Sequence, residues 1–381
     1  MKLALIAITK HGIEHAKALK AQLPGSELWV SEKQKALAPD ADGVFPTIKD
    51  FTAQAWDKYD GLVYHVSLGA VVRTVAPFLK GKDVDPAVVT VDDGKRFAIS
   101  LLSGHVGGAN ELTEKVAGIL GAQSVVTTAS DARATIPVDI LGRELGWTLE
   151  AKDFVTPVSA AVVNEKPIAF VQEAGEKGWW TRPTPLPANI KVFGSLALAR
   201  AAGALPSGAP FTAPGATSVQ ASVAMWEAYL VVSERSTEAL KAELGADWER
   251  SVIYRPKTLC LGMGCDAGTD LAEVLGLVGQ GLATLGLSEK CVKTVASIDI
   301  KQGEESLRLL AAHLGAAQAF FDRDQLNARG TVSAPNPLVE KYTGAVGVSE
   351  PSALLAAGAD ALLLPKIKSK RATLAVARIP S

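Results

Sequence analysis

Ser100-Leu-Leu-Ser-Gly-His-Val-Gly-Gly-Ala-Asn-Glu111 decides how the first part of the chain is read. The apolar run Phe97–Leu102 enters a turn holding Gly104, Gly107 and Gly108. A helical pattern leaves it, with Leu112, Val116, Ile119 and Leu120 on one side. Strand, glycine turn and helix form the unit of an α/β layer. Glycines let backbone N–H groups approach a ligand, and a helix start favours an anion. His105 stands in the turn, where an imidazole acts as acid or base near neutral pH. The competing reading is a tight strand-to-helix connection capped by Asn110.

Outward from this stretch the same alternation continues. Strands are expected over 3–8, 27–30, 61–66 and 124–128, and helices over 13–22 and 111–120. A short helix with Val71, Val72 and Val75 stops at Pro77, and the runs Ala87–Val91 and Phe97–Leu102 flank the turn Asp92-Asp93-Gly94. From about 145 to 256 the periodicity is poorer and prolines are denser. There 179–187 reads as a rigid extended connection and 203–215 as a loop, with a strand at Ala228–Val232 and a helix over 236–244. The last part is regular again: strands over 258–262 and Val292–Ile298, helices over 269–285, 304–314 and 350–358, and a closing hairpin over 361–364 and 373–379. The expected fold is two α/β domains, 1–144 and 257–381, with parallel or mixed sheets flanked by helices. A small α+β middle module, 145–256, joins them.

A second glycine turn, Leu259-Cys-Leu-Gly-Met-Gly-Cys-Asp-Ala-Gly-Thr269, repeats the logic, with Gly262, Gly264 and Gly268 and with Thr269 as the expected cap. Its spacing resembles a dinucleotide turn, but no acidic residue follows the next strand where a ribose would need it. Anion or substrate contact is preferred over NAD. Cys265 near a helix start is a candidate low-pKa thiol, against a packed one. Ser297-Ile-Asp-Ile-Lys301 follows a buried strand, so Asp299 and Lys301 can hold a polar substrate group or sit in a solvated loop. Arg73 and the basic residues 80–82 read as a helix flank, and the basic turn 366–371 as hairpin chemistry. Residues 127–131 read as a helix cap.

Composition bounds the function. The chain has 381 residues, enough for two or three domains, and 48% are hydrophobic, so real cores form. A net charge of -1 argues against coating nucleic acid or an acidic membrane face. Three cysteines without a Cys-x-x-Cys pair suggest neither disulfide scaffold nor zinc ribbon. Five histidines form no His-Glu-x-x-His motif, and His11 and His15 lack a third ligand, so no metal site is expected. Neither a signal peptide nor a membrane span is evident, and a soluble cytoplasmic protein is expected.

Several segments together resemble the CbiG family. They are Leu68-Gly-Ala-Val-Val-Arg-Thr-Val-Ala-Pro77, Asp85-Pro-Ala-Val-Val89, Ile99 to Asn110, Val126-Thr-Thr-Ala-Ser-Asp131, Gly262 to Thr269, Ala296-Ser-Ile-Asp-Ile-Lys301 and Val348-Ser-Glu-Pro-Ser-Ala353. One departure is visible: Asp266 and Ala267 stand where the family carries a basic residue. The resemblance implies cobalt-precorrin-5A hydrolase activity in anaerobic cobalamin synthesis. A δ-lactone on a cobalt-bearing tetrapyrrole opens, and acetaldehyde leaves to give cobalt-precorrin-5B. For that chemistry His105 is the candidate base, with Glu111 a weaker one. Gly69, Arg73, Ser103, Gly104, Gly107, Gly108, Asn110, Gly262, Gly264, Cys265, Thr269, Asp299 and Lys301 are the expected contacts to such an anionic cobalt-tetrapyrrole. Backbone N–H groups of Gly107 and Gly108 would serve an oxyanion or a carboxylate. No cofactor is expected, because the cobalt arrives in the substrate, and other cobalamin-pathway enzymes are candidate partners. The alternatives are a non-catalytic tetrapyrrole carrier or scaffold and a dinucleotide-dependent enzyme.

Overall fold

The computed structural model describes residues 1–82, 84–150, 152–203, 226–330, 333 and 337–380, the side chains of 337–339 aside. The loop expected over 203–215 lies, after its first residue, outside the described residues. The chain divides into two compact units, Met1–Ile140 and Leu141–Ser381.

The first unit is built on seven strands: β1 Leu3–Ala7, β2 Glu27–Ser31, β3 Gly43–Phe45, β4 Gly61–His65, β5 Ala87–Val91, β6 Phe97–Leu102 and β7 Gln123–Val125. Their order is β3-β2-β1-β4-β5-β6-β7. β1 to β5 are mutually parallel. β1, β4 and β5 are buried along their whole length. That is why they read as unbroken apolar runs, since helices cover both faces of a parallel sheet. The turn after Val91 reverses the chain, and Asp92 Oδ1 accepts the Phe97 N–H at 2.6 Å to close it. β6 is therefore antiparallel to β5, and β7 runs parallel to β6.

This reversal positions the site. Gly61 pairs with Ala87, and Val88 pairs with Leu102, so the end of β6 lies beside the beginnings of β4 and β5. The turn holding His105 thus opens at the amino-terminal edge of the parallel strands. The helix Leu68–Val75, which follows β4, begins at the opposite edge.

The second unit carries two sheets. One contains β8 Thr148–Glu150, β9 Ile168–Gln172, β10 Ile190–Phe193, β11 Ala228–Val232 and β12 Ser251–Arg255 in the order β10-β9-β11-β12-β8. All its pairings are parallel except that of β8 with β12. This sheet is more regular than its sequence suggests, because β9, β11 and β12 are five-residue strands buried almost throughout and show no period. The other contains β13 Leu259–Cys265, β14 Val292–Ile298, β15 Ala317–Phe321, β16 Leu362–Lys368 and β17 Ala372–Arg378, ordered β15-β14-β13-β17-β16. β13, β14 and β15 are parallel, and the β16–β17 hairpin closes antiparallel onto β13. The helices Leu271–Leu285 and Glu305–Leu314 pack on one face and Ser349–Ala357 on the other. The fully buried Arg255 is satisfied by Glu150 at 2.5 Å, the Ser233 carbonyl at 3.0 Å and Thr237 at 3.1 Å. Among the described residues, no helix is long and apolar enough to cross a membrane.

Candidate active site

The strand-to-helix turn folds back on itself. Ser103 takes a φ of 57°, a left-handed conformation rare for a residue with a side chain. A Cβ on Gly107 would stand 2.4 Å from the Ser103 Cβ, so only glycine fits there. The Ala109 N–H donates to the Ser103 carbonyl at 3.1 Å, and the Asn110 N–H to the Gly104 carbonyl at 3.0 Å. The Gly108 N–H donates to the His105 carbonyl at 3.0 Å. The expected role of Gly108 as an oxyanion donor is corrected, since its hydrogen is already committed. The cap is corrected as well. Gly108 holds the capping position of the helix Ala109–Leu120, and Asn110 lies inside it. The Asn110 amide is turned to the site instead, donating to Thr128 Oγ1 at 2.5 Å and Asp131 Oδ2 at 2.9 Å while accepting from Ser100 Oγ at 2.7 Å.

His105 lies between two carboxylates. Its Nε2 is 3.0 Å from Asp131 Oδ2 and its Nδ1 is 3.1 Å from Asp139 Oδ1. Ser130 Oγ stands 3.1 Å from the same Nε2. The imidazole is only 13% exposed. The hydrogen bonds to Asp131 and then Asp139 outweigh its burial and push the pKa up to about 9. His105 is therefore an imidazolium at neutral pH, donating from both nitrogens. This corrects its assignment as a ready base: in the resting site it holds a proton to give. Burial pushes the Asp139 carboxyl up, but the hydrogen bond and charge of His105 more than offset that, and its pKa lies below the ordinary value. Thr128 Oγ1 adds a 3.1 Å donor to Asp131 Oδ2.

Three other expected residues of this unit stand apart from His105. Glu111 is exposed on the first turn of its helix, and among the described residues no hydrogen bond or ion pair joins it to His105, Asp131 or Asp139. Gly69 and Arg73 belong to the opposite sheet edge, where Arg73 Nη1 donates to the Gly69 carbonyl at 3.2 Å. Sequence reasoning read Asp131 only as a cap and missed Asp139. The first follows β7 at its carboxyl end, a position α/β sheets use for ligands. Asp139 lies in 136–139, whose apolar residues show no period.

A second histidine, His65, closes β4 at the opposite edge. It is buried, with its ring centre 5.9 Å from that of His15. Neither ring nitrogen has a hydrogen-bond partner among the described residues. Burial lowers its pKa to about 3, so it is neutral.

In the second unit the glycine spacing serves packing. Gly262 and Gly264 lie within β13, not in a turn. A Cβ on Gly262 would come within 1.8 Å of the Ser349 carbonyl oxygen, and one on Gly264 within 2.6 Å of Thr373 Oγ1. Asp270, not Thr269, caps the helix Leu271–Leu285, through the Ala272 N–H at 3.0 Å. Thr269 is buried and donates to the Asp266 carbonyl at 2.9 Å. The Gly268 N–H is taken by Glu304 at 3.0 Å, and Lys301 pairs with Glu304 at 3.3 Å. Burial raises the Cys265 pKa, which favours the packed-thiol reading over the low-pKa one. Asp299 is exposed and accepts the Ile300 N–H at 2.7 Å. Gly264, Cys265 and Lys301 line a cavity of about 620 Å³ at the carboxyl edge of β13 and β14; Gly262, Thr269 and Asp299 do not. Lys366, Lys368, Lys370 and Arg371 share that wall, so the basic turn belongs to a concave surface. Among the described residues, no group of three or more His, Cys, Asp or Glu side chains is placed to hold a metal ion.

These features define a modular α/β protein with a carboxylate–imidazolium–carboxylate site in one unit and a cationic cavity in the other. Three family profiles match it in succession: Cobalamin synthesis G N-terminal over 50–131, Cobalamin biosynthesis central region over 136–256 and Cobalamin synthesis G C-terminus over 259–377. The chain is 43% identical over 380 residues to a cobalt-precorrin-5A hydrolase of Priestia megaterium, covering 99% of this chain and 95% of that one. It is 28% identical to the cobalt-precorrin-5A hydrolase of Salmonella typhimurium, over 93% of this chain and 91% of that one. A solved cobalamin biosynthesis protein G homolog from Sulfolobus solfataricus matches with 19% identity and a TM-score of 0.36, covering 99% of this chain and 97% of that one. The chain belongs to the CbiG family.

Proposed function

We propose that this chain is a cobalt-precorrin-5A hydrolase and that the His105 site carries out its proton transfers. The observation that carries the reading is the position of His105, 3.0 Å from Asp131 and 3.1 Å from Asp139, on a turn whose close approach at Gly107 admits no side chain. Water adds to the lactone carbonyl carbon and loses its proton to the Asp139 carboxylate. The ring C–O bond breaks, and the departing alkoxide takes the proton of His105. The products of this step are a carboxylic acid and an alcohol. His105, now neutral, takes the hydroxyl proton as the C–C bond to the macrocycle breaks. Acetaldehyde leaves, the bond's electron pair stays on the macrocycle, and that carbon takes the proton that Asp139 gained from water, which resets the pair. The cobalt is part of the substrate, and no cofactor enters these steps. We place the reaction in the cytoplasm, consistent with the free thiols Cys260, Cys265 and Cys291.

The test is anaerobic incubation with cobalt-precorrin-5A, with acetaldehyde trapped and the tetrapyrrole followed by mass. Protein-dependent acetaldehyde, one per substrate converted, is expected. Tight binding without conversion would replace the hydrolase with a carrier. Full turnover by His105→Gln would remove the site from the mechanism.

A further inference from the structure

The cavity of the second unit carries an unbalanced wall. Lys301, Lys366, Lys368, Lys370 and Arg371 line it against one lining carboxylate, Asp266, while Lys301 also pairs with Glu304 outside the lining. The whole chain is balanced at -1, so this concentration is local. Lysines on an edge strand such as β16 commonly ward off strand pairing. That purpose does not account for Lys301, which comes from the segment after β14, or for Arg371, in the hairpin turn.

The basic turn is held in place before any ligand arrives. Ser369 Oγ and the Arg371 N–H both donate to Glu273 Oε1, at 2.5 and 2.6 Å. The Arg371 guanidinium donates to the Ala267 and Gly268 carbonyls at 2.6 and 3.2 Å. Glu273 thus anchors the turn through a backbone N–H and a hydroxyl, and its charge acts on Arg371 and Lys370 from outside the cavity lining. Lys368 and Lys370 make no ion pair among the described residues. Lys368 and Lys370, not ion-paired among the described residues, repel the other cations of the wall, and a polyanion relieves that repulsion.

The same cavity presents apolar surface. Ile298, Val346 and Val348 contribute to its wall. Ile300 and Tyr342 line it while remaining 61% and 76% exposed. Large apolar side chains beside unpaired lysines suit a flat ring with acidic groups on its periphery. We propose that this cavity binds a tetrapyrrole by its peripheral carboxylates, with Lys368 and Lys370 as the principal anion contacts and Ile300 and Tyr342 against the macrocycle. The inference rests on the reading of the chain as acting on such a molecule, and assigns part of that binding to the second unit.

The experiment titrates the full chain with metal-free uroporphyrin, which carries eight carboxylates, and coproporphyrin, which carries four, following the Soret band at low and moderate salt. Uroporphyrin is expected to bind more tightly, and salt to weaken it. Lys368→Glu with Lys370→Glu should raise its Kd by at least about tenfold. The arginine pair at the same positions should retain binding. Equal affinity for both porphyrins, or an unchanged Kd in a charge-reversed variant with native circular dichroism, overturns the proposal. Turnover of cobalt-precorrin-5A is measured alongside. Normal turnover and an unchanged KM in the charge-reversed protein remove the cavity and leave the hydrolase. Lysine-dependent porphyrin binding without acetaldehyde from cobalt-precorrin-5A removes the hydrolase and supports the cavity.

Discussion

The seven-stranded sheet carries a histidine at each edge, His105 half-buried and His65 fully buried, and the two differ in charge at neutral pH. His105, at the edge where β6 ends, is an imidazolium between two carboxylates. His65, at the edge where β4 ends, is a neutral ring packed under the helix Lys10–Gln22, with Gly12 against its Cβ. Burial disfavours the charge on both. Only the Asp131 and Asp139 hydrogen bonds differ in kind, and they carry one pKa to about 9 while the other falls to about 3. A histidine is therefore not a proton-transfer group by burial or by turn. Partners make it one, and the partners here come from segments that only the reversed strand β6 brings together.

The largest expected effect breaks this contrast directly. His105→Gln should lower turnover of cobalt-precorrin-5A by about 10²–10⁴-fold, the usual share of a positioned acid or base. His65→Gln should leave turnover unchanged. Equal losses in both, measured by acetaldehyde release, would mean that the two edges do not differ in function.

The pH dependence sharpens the contrast. The folded pKa of His105 lies above its ordinary 6.5, so its contribution to stability is complete below pH 6.5 and is lost as pH rises through about 9. The folded pKa of His65 lies below 6.5. The unfolded chain then binds a proton that the native protein refuses, and stability falls as pH drops from 6.5 toward 3. Urea midpoints across this range should therefore decline on both sides, with His105→Gln flattening the alkaline side and His65→Gln the acid side. Activity should show an alkaline limb near pH 9, where His105 loses its proton. Asp139→Asn removes one charged acceptor and should move that limb down by about one pH unit or more. A limb that stays put would take Asp139 out of the pair.

Much of the fold is legible in the sequence because its strands are buried and its turns are marked. Ala87–Val91, Phe97–Leu102 and Val292–Ile298 are bounded by glycine, aspartate or charged residues and match the observed strands. The Asp92-Asp93-Gly94 turn announces the reversal of β6, but its consequence needs the register. Once β6 runs backward, the Gly69–Arg73 segment and the His105 turn cannot share an edge. Asp139 is 34 residues from His105 and follows no motif, so its contact exists only in three dimensions. Glycine is ambiguous in the same way. Gly107 and Gly262 both sit in a strand–glycine–helix segment, yet one shapes the acid–base turn and the other admits the backbone of Ser349.

The smallest expected effect is at the silent edge. Both ring nitrogens of His65 are buried and unpartnered among the described residues, a cost the fold carries. His65→Leu keeps the volume near the original and removes both polar atoms. An unsatisfied buried group costs about 1–3 kcal/mol, and imperfect repacking against Gly12 and His15 takes back part of the gain. The variant should therefore be more stable by about 1 kcal/mol at pH 7, with a further relative gain at pH 5, where the native ring resists protonation. Thermal melts at the two pH values decide it. A lower Tm at both would show that the imidazole makes a stabilising polar contact, and the contrast with His105 would then be one of charge alone. A gain at pH 5 larger than at pH 7 would confirm that the second edge holds its histidine neutral, against its own preference, as part of the core.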